Sequence, residues 1–64
     1  MHVNGGLYTH REGLTLHQLL AELDVDPRKV VVMHGDAIYH AGKIPDAPLD
    51  EHDVVEVVTM MAGG

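Results

Sequence analysis

The leucines in the first half of the chain recur at helical spacing. They stand at i, i+3, i+4 and i+7, as Leu16, Leu19, Leu20 and Leu23. This spacing places all of them on one side of a helix and predicts that this side packs on a core. Thr15 and Gln18 predict the helix start, because a threonine cap and a glutamine three residues later form a capping box. Pro27 predicts an end within residues 24–27, since a proline keeps the residue before it out of the helical region.

Short apolar runs on either side of an Asn-Gly pair predict a hairpin near the start of the chain. Asn4 and Gly5 both tolerate the positive φ angles of a tight two-residue turn. We therefore expect strands over residues 1–3 and 7–10. Residues 30–33 form a β-branched run that is too short for a helix, which predicts a third strand.

The second half of the chain predicts two more strands around an irregular connection. A brief strand is expected over residues 37–39, and Gly42, Pro45 and Pro48 favour irregular structure over residues 41–49. Residues 54–61 form the last predicted strand. Because side chains alternate between the faces of a sheet, the inward and outward sets can be assigned. Val55 and Val57 are expected to face the leucines, while Val54, Glu56 and Val58 face outward.

The order of these elements favours an α+β fold. One helix packed on one face of a mixed sheet of four to five strands accounts for all of them. We expect a single domain over residues 1–64, ending in a flexible tail over residues 62–64.

Composition excludes several kinds of chemistry. The 64-residue chain contains no cysteine and no serine, which removes thiol and serine nucleophiles and thiolate metal sites. So short a chain also offers little interior for a substrate cavity. Its net charge of −6 opposes nucleic-acid binding. We expect a non-enzymatic protein that is soluble and cytoplasmic, with no membrane partner.

Six histidines raise the question of a metal site. His2, His10, His17, His34, His40 and His52 show no paired ligand spacing on one element. We expect solvent-exposed histidines and no bound metal or other cofactor.

The terminal glycines carry the strongest functional signal. Ala62, Gly63 and Gly64 have small side chains or none, so this segment can thread a narrow channel and present an unhindered carboxylate. A carboxylate becomes reactive toward nucleophiles only when one of its oxygens is made a leaving group. Adenylation of Gly64 by a partner enzyme would achieve this.

The chain resembles the ThiS-type sulfur carrier proteins of thiamine biosynthesis, which have the ubiquitin-like β-grasp fold. The resemblance covers nearly the whole chain. It rests on Val3-Asn4-Gly5, Gly13-Leu14-Thr15-Leu16 with Leu19-Leu20, Asp53-Val54-Val55-Glu56-Val57-Val58 and Met61-Ala62-Gly63-Gly64.

The resemblance implies a role for Gly64 and a set of partners. An adenylyltransferase resembling ubiquitin-activating enzymes would adenylate Gly64 with ATP and magnesium. Sulfur from a persulfide protein would then replace AMP, giving a thiocarboxylate that donates sulfur to a thiazole synthase. The family overlaps with carriers for molybdopterin synthesis and for tRNA thiolation, and with ubiquitin-like modifiers attached to lysines, and these alternatives stay open.

The outward residues of the last strand are the candidate docking surface. Val54, Val58 and Met60 would form an exposed apolar patch beside Glu56. Exposed apolar patches often mark partner sites. The competing interpretation is that neighbouring strands cover these side chains.

Overall fold

The computed structural model describes residues 1–59, and within them one helix and five strands follow the predicted order. The elements are β1 (His2–Val3), β2 (Gly6–Leu7), α1 (Leu16–Glu22), β3 (Val30–His34), β4 (Ala37–Tyr39) and β5 (Val54–Thr59). This confirms the α+β class. The predicted continuation of β5 through residues 60 and 61 lies outside the described residues.

The strands form one mixed sheet in the order β2-β1-β5-β3-β4. β1 and β5 are parallel, with Val3 opposite Val55, and the other neighbours are antiparallel. β5 is therefore the central strand. It is paired with β1 on one side and with β3 on the other.

Two tight turns depend on positive φ angles, and the first confirms the predicted Asn4-Gly5 turn. Asn4 and Gly5 have φ angles of 53° and 83°, as a primed hairpin turn requires. Gly35 turns the chain between β3 and β4 with a φ angle of 60°.

The prediction of a return strand over residues 7–10 was wrong in its length. β2 ends at Leu7. The Tyr8 N–H still donates to the Met1 carbonyl over 3.0 Å, but the side chains of Tyr8 and His10 make contacts away from the sheet. The Tyr8 hydroxyl donates to the Glu22 carboxylate on α1, and the His10 ring nitrogen Nε2 lies 2.9 Å from the Leu49 carbonyl oxygen. These contacts direct the chain toward the start of α1.

The helix start is the predicted capping box. Gln18 N–H donates to Thr15 Oγ1 over 3.3 Å, and Thr15 N–H donates to Gln18 Oε1 over 3.2 Å. The cause predicted for the helix end was wrong, because the helix stops before Pro27 can act. Asp24 adopts a φ angle of 58°, and the N–H of Val25 donates to the Leu20 carbonyl over 3.2 Å. This is a Schellman motif with aspartate in the left-handed position usually taken by glycine.

The core lies between α1 and one face of the sheet. Leu16 and Leu19 are fully buried, Leu20 is buried, and Leu23 packs at the edge. Val55 is fully buried beneath them, as predicted. The remaining core residues come from β1, β3 and the loops: Met1, Val3, Leu14, Val30, Val32, Ile44 and Leu49.

The irregular connection after β4 is hydrogen-bonded to the start of α1. Leu16 N–H donates to the Ala47 carbonyl over 2.8 Å, and Leu49 N–H donates to the Leu14 carbonyl over 2.9 Å. Leu49 is buried in the core, five residues before β5 begins at Val54.

Candidate functional site

One face of the sheet is turned away from α1, and we call it the open face. The strand register decides its members, because directly opposed residues point the same way. Glu56 is opposite Met33, which is opposite Ile38, while Val58 is opposite Val31. Val54 is opposite His2, which is opposite Leu7. The open face therefore consists of His2, Leu7, Val31, Met33, Ile38, Val54, Glu56 and Val58.

Four apolar side chains of the open face are exposed, while Val31 and Met33 are half-buried. Leu7 is 85% exposed, Ile38 58%, Val54 52% and Val58 48%. These are large fractions for apolar side chains on one face of a sheet, and exposed apolar patches often mark interaction sites. The outward orientation predicted for Val54, Glu56 and Val58 is confirmed, and the competing interpretation that neighbouring strands cover Val54 and Val58 was wrong.

Glu56 is the one acidic residue of the open face, and that face contains no lysine or arginine. Glu56 lies between Val54 and Val58 on this face of β5 and opposite Met33 of β3, so it has apolar neighbours on these three sides. A partner surface with apolar side chains around a cation would match this arrangement.

Two of the four basic residues are held in ion pairs away from the open face. Arg28 pairs with Asp26 over 3.1 Å, and Arg11 pairs with Glu22. The hydrogen bond from Arg11, and then that from Tyr8, holds the pKa of Glu22 below its usual value. These pairs leave the excess of negative charge available to attract a basic partner.

The start of β5 is fixed by Asp53, which joins the strand to the β3–β4 hairpin. His34 Nε2 lies 2.8 Å from Asp53 Oδ2, and the same oxygen accepts from Asp50 N–H over 2.8 Å. Partial burial alone would raise the pKa of Asp53. The hydrogen bonds from Asp50 and His34, with the nearby His10, hold that pKa below its ordinary value.

The prediction that the histidines are all solvent-exposed was wrong for two of them. His10 and His34 are partly buried, and each is bonded to the segment leading into β5: His10 to the Leu49 carbonyl and His34 to Asp53. His17, which stays exposed, also reaches that connection, at the Ile44 carbonyl. Over residues 1–59 no three histidine or acidic side chains come together in a way that could hold a metal ion.

The remaining predicted site residues follow β5. Met60, at the candidate docking surface, and Ala62, Gly63 and Gly64, at the candidate tail, lie outside the described residues. Thr59 is the last residue of β5, and five residues follow it in the sequence.

Two further findings concern the described part of the chain. No ligand-sized cavity opens among residues 1–59. No helix in that range has the length and apolar character needed to cross a bilayer.

Sequence reasoning missed five of the eight residues of the open face. They come from the four other strands: His2, Leu7, Val31, Met33 and Ile38. The alternation within residues 30–33 could have separated Val31 and Met33 from their buried neighbours. The strand order that brings Leu7 and Ile38 to the same face has no local signal.

Comparison with known proteins gives a family match over the whole chain. The model of the ThiS family matches residues 1–64. A sulfur carrier protein ThiS from Thermus thermophilus is 42% identical over 53 residues, which are 83% of this chain and 83% of that protein. A thiazole synthase from Magnetococcus marinus is 36% identical over 64 residues, covering all of this chain but 20% of that protein. On these matches, and with the mixed sheet and single helix of the β-grasp fold in residues 1–59, the chain belongs to the ThiS family of sulfur carrier proteins.

Proposed function

We propose that this chain carries sulfur as a thiocarboxylate on Gly64 and donates it for thiazole formation in thiamine biosynthesis. The observation that carries the proposal is the continuity between the open face and the terminal glycines. β5 presents Val54, Glu56 and Val58 to a partner, and five residues after Thr59 the sequence ends in Gly63-Gly64. A partner docked on the open face would have the terminal carboxylate within a short reach.

The chemistry needs three steps at the Gly64 carboxylate. A carboxylate oxygen of Gly64 attacks the α-phosphorus of ATP, so that pyrophosphate leaves and an acyl adenylate forms. The terminal sulfur of a persulfide then attacks the carbonyl carbon and expels AMP, giving an acyl disulfide. A second thiol of the sulfur-donating system reduces the sulfur–sulfur bond, which leaves the thiocarboxylate and a protein disulfide. ATP and magnesium belong to the activating enzyme, an adenylyltransferase resembling ubiquitin-activating enzymes.

The proposed sulfur acceptor is a thiazole synthase. Support comes from the relative of that name, in which a segment similar to this whole chain makes up a fifth of the protein. Joining two modules in one polypeptide raises the effective concentration of each at the other. A carrier and a synthase that act in succession would gain from that connection.

The open face is the proposed docking surface for the activating enzyme. Burial of its exposed apolar side chains supplies affinity, because apolar area removed from water contributes about 25 cal/mol per Å². Glu56 adds selection for a partner with a cationic side chain at the matching point. Two features thus recruit the partner: the apolar patch and the carboxylate within it.

The experiment that tests the function is intact-mass analysis after reaction. The chain is incubated with an adenylyltransferase of its own organism, ATP, magnesium and a persulfide donor. We expect a mass increase equal to the difference between a sulfur and an oxygen atom, and its loss when the thiazole synthase and its substrates are added. An unchanged mass would contradict the carrier chemistry. Products joined to lysines of other proteins would indicate a modifier instead.

A further inference from the structure

The side chain of Asn4 replaces a missing backbone partner in the sheet. β1 and β5 form a parallel ladder in which Asn4 N–H donates to the Val55 carbonyl over 2.9 Å. In a continued parallel ladder, the carbonyl of residue 4 would accept the N–H of Val57. The chain turns away at Asn4 instead, with a φ angle of 53°. Asn4 Oδ1 accepts that N–H over 2.7 Å.

This contact extends the pairing of β5 toward its carboxyl end. On the other side, β5 stays paired with β3 as far as Thr59, opposite Val30. β1 is only two residues long. The Asn4 side chain therefore holds β5 on the β1 side at a point where the backbone of β1 has already left.

We propose that Asn4 is a positioning residue for the carrier reaction: it fixes the carboxyl half of β5, which presents Glu56 and Val58 to the partner and precedes Gly64 in the sequence. This inference rests on the proposed function. Val57 lies between Glu56 and Val58 of the open face, so the same contact also sets the docking side chains. A strand end held in place beforehand loses less conformational freedom when a partner binds.

Two substitutions separate this role from the need for a turn residue. Asn4→Gly keeps the positive φ angle without strain but removes the acceptor. Asn4→Asp keeps a carboxylate acceptor and also tolerates the left-handed region. A residue needed only for the turn would be replaced equally well by both.

The experiment measures the KM for the carrier in adenylation, together with exchange of the Val57 amide hydrogen. We expect Asn4→Gly to raise KM by about three- to tenfold, the range expected for one hydrogen bond, with a smaller effect on kcat. Its Val57 amide should exchange faster than in the wild type. Asn4→Asp should keep both the KM and the exchange rate of the Val57 amide near their wild-type values.

Failure of the positioning role can be told apart from failure of the proposed function. If the proposed function is wrong, the wild-type chain itself is not adenylated. The positioning role is overturned if the wild type is adenylated and Asn4→Gly has the same KM at a temperature where both are folded. It is also overturned if the Val57 amide stays protected in Asn4→Gly.

Discussion

Truncation of Leu19 should remove a large part of the stability of this domain. The side chain is fully buried within the cluster that joins α1 to the sheet. Leu19→Ala deletes three carbon positions, each contributing about 0.8 kcal/mol of transfer free energy, and leaves a cavity whose cost adds to that loss. We expect a loss of about 2–5 kcal/mol. A domain of this size has a free energy of unfolding of about 3–10 kcal/mol, so the variant should be near its unfolding limit.

Two matched leucines provide the controls. Leu7 is 85% exposed on the open face, so Leu7→Ala should change the free energy of unfolding by less than about 0.5 kcal/mol. Leu23 is half-buried at the edge of the core, and Leu23→Ala should give an intermediate loss.

The assay is equilibrium urea denaturation followed by far-ultraviolet circular dichroism, with all variants at the same pH and temperature. The expected order of loss is Leu19, then Leu23, then Leu7. Equal losses for Leu19→Ala and Leu7→Ala would refute the packing of α1 on the sheet described above.

Three further predictions concern the helix end, pH and association. Asp24→Gly should raise the free energy of unfolding by about 0.5–1 kcal/mol, because glycine fits the left-handed position better, and thermal unfolding should show it. Because the folded-state pKa of Asp53 is lowered from 3.8, its carboxylate adds stability above that value that is lost as pH falls through the folded-state pKa. Asp53→Asn should therefore flatten the acid side of the stability profile; an unchanged slope would oppose this. Glu56→Gln should slow association with the activating enzyme and weaken its salt dependence, measured by stopped flow; identical rates would exclude steering by Glu56.

The parts of the fold that sequence reasoning predicted well are specified by neighbouring residues. The Thr15–Gln18 capping box and the Asn4-Gly5 turn each depend on a few adjacent positions, and both are present. The inward position of Val55 followed from strand alternation combined with the leucine spacing. Local chemistry of this kind acts in the same way wherever the segment lies in the fold.

Most of the errors arose where distant contacts decide the outcome, and the helix end is the local exception. The side chains of Tyr8 and His10, which follow β2, bind residues far along the sequence. The open face depends on a strand order that places Leu7 and Ile38 on the same face of the sheet as the outward residues of β5. No short segment encodes that order. The helix end was assigned to Pro27 because aspartate is a less common left-handed cap than glycine. The role of Gly64 stays a prediction.

Moving the terminal carboxylate tests the central claim most directly. One variant lacks Gly64, and another carries an alanine appended after it. Either change moves the reactive atom by about one residue, ~3.3 Å. A misplacement of about 1 Å can cost a hundredfold in a positioned reaction. We therefore expect ATP–pyrophosphate exchange with the activating enzyme to be nearly abolished in both variants, while thermal unfolding stays at the wild-type temperature. Wild-type exchange in both variants would show that Gly64 is not the carrier site.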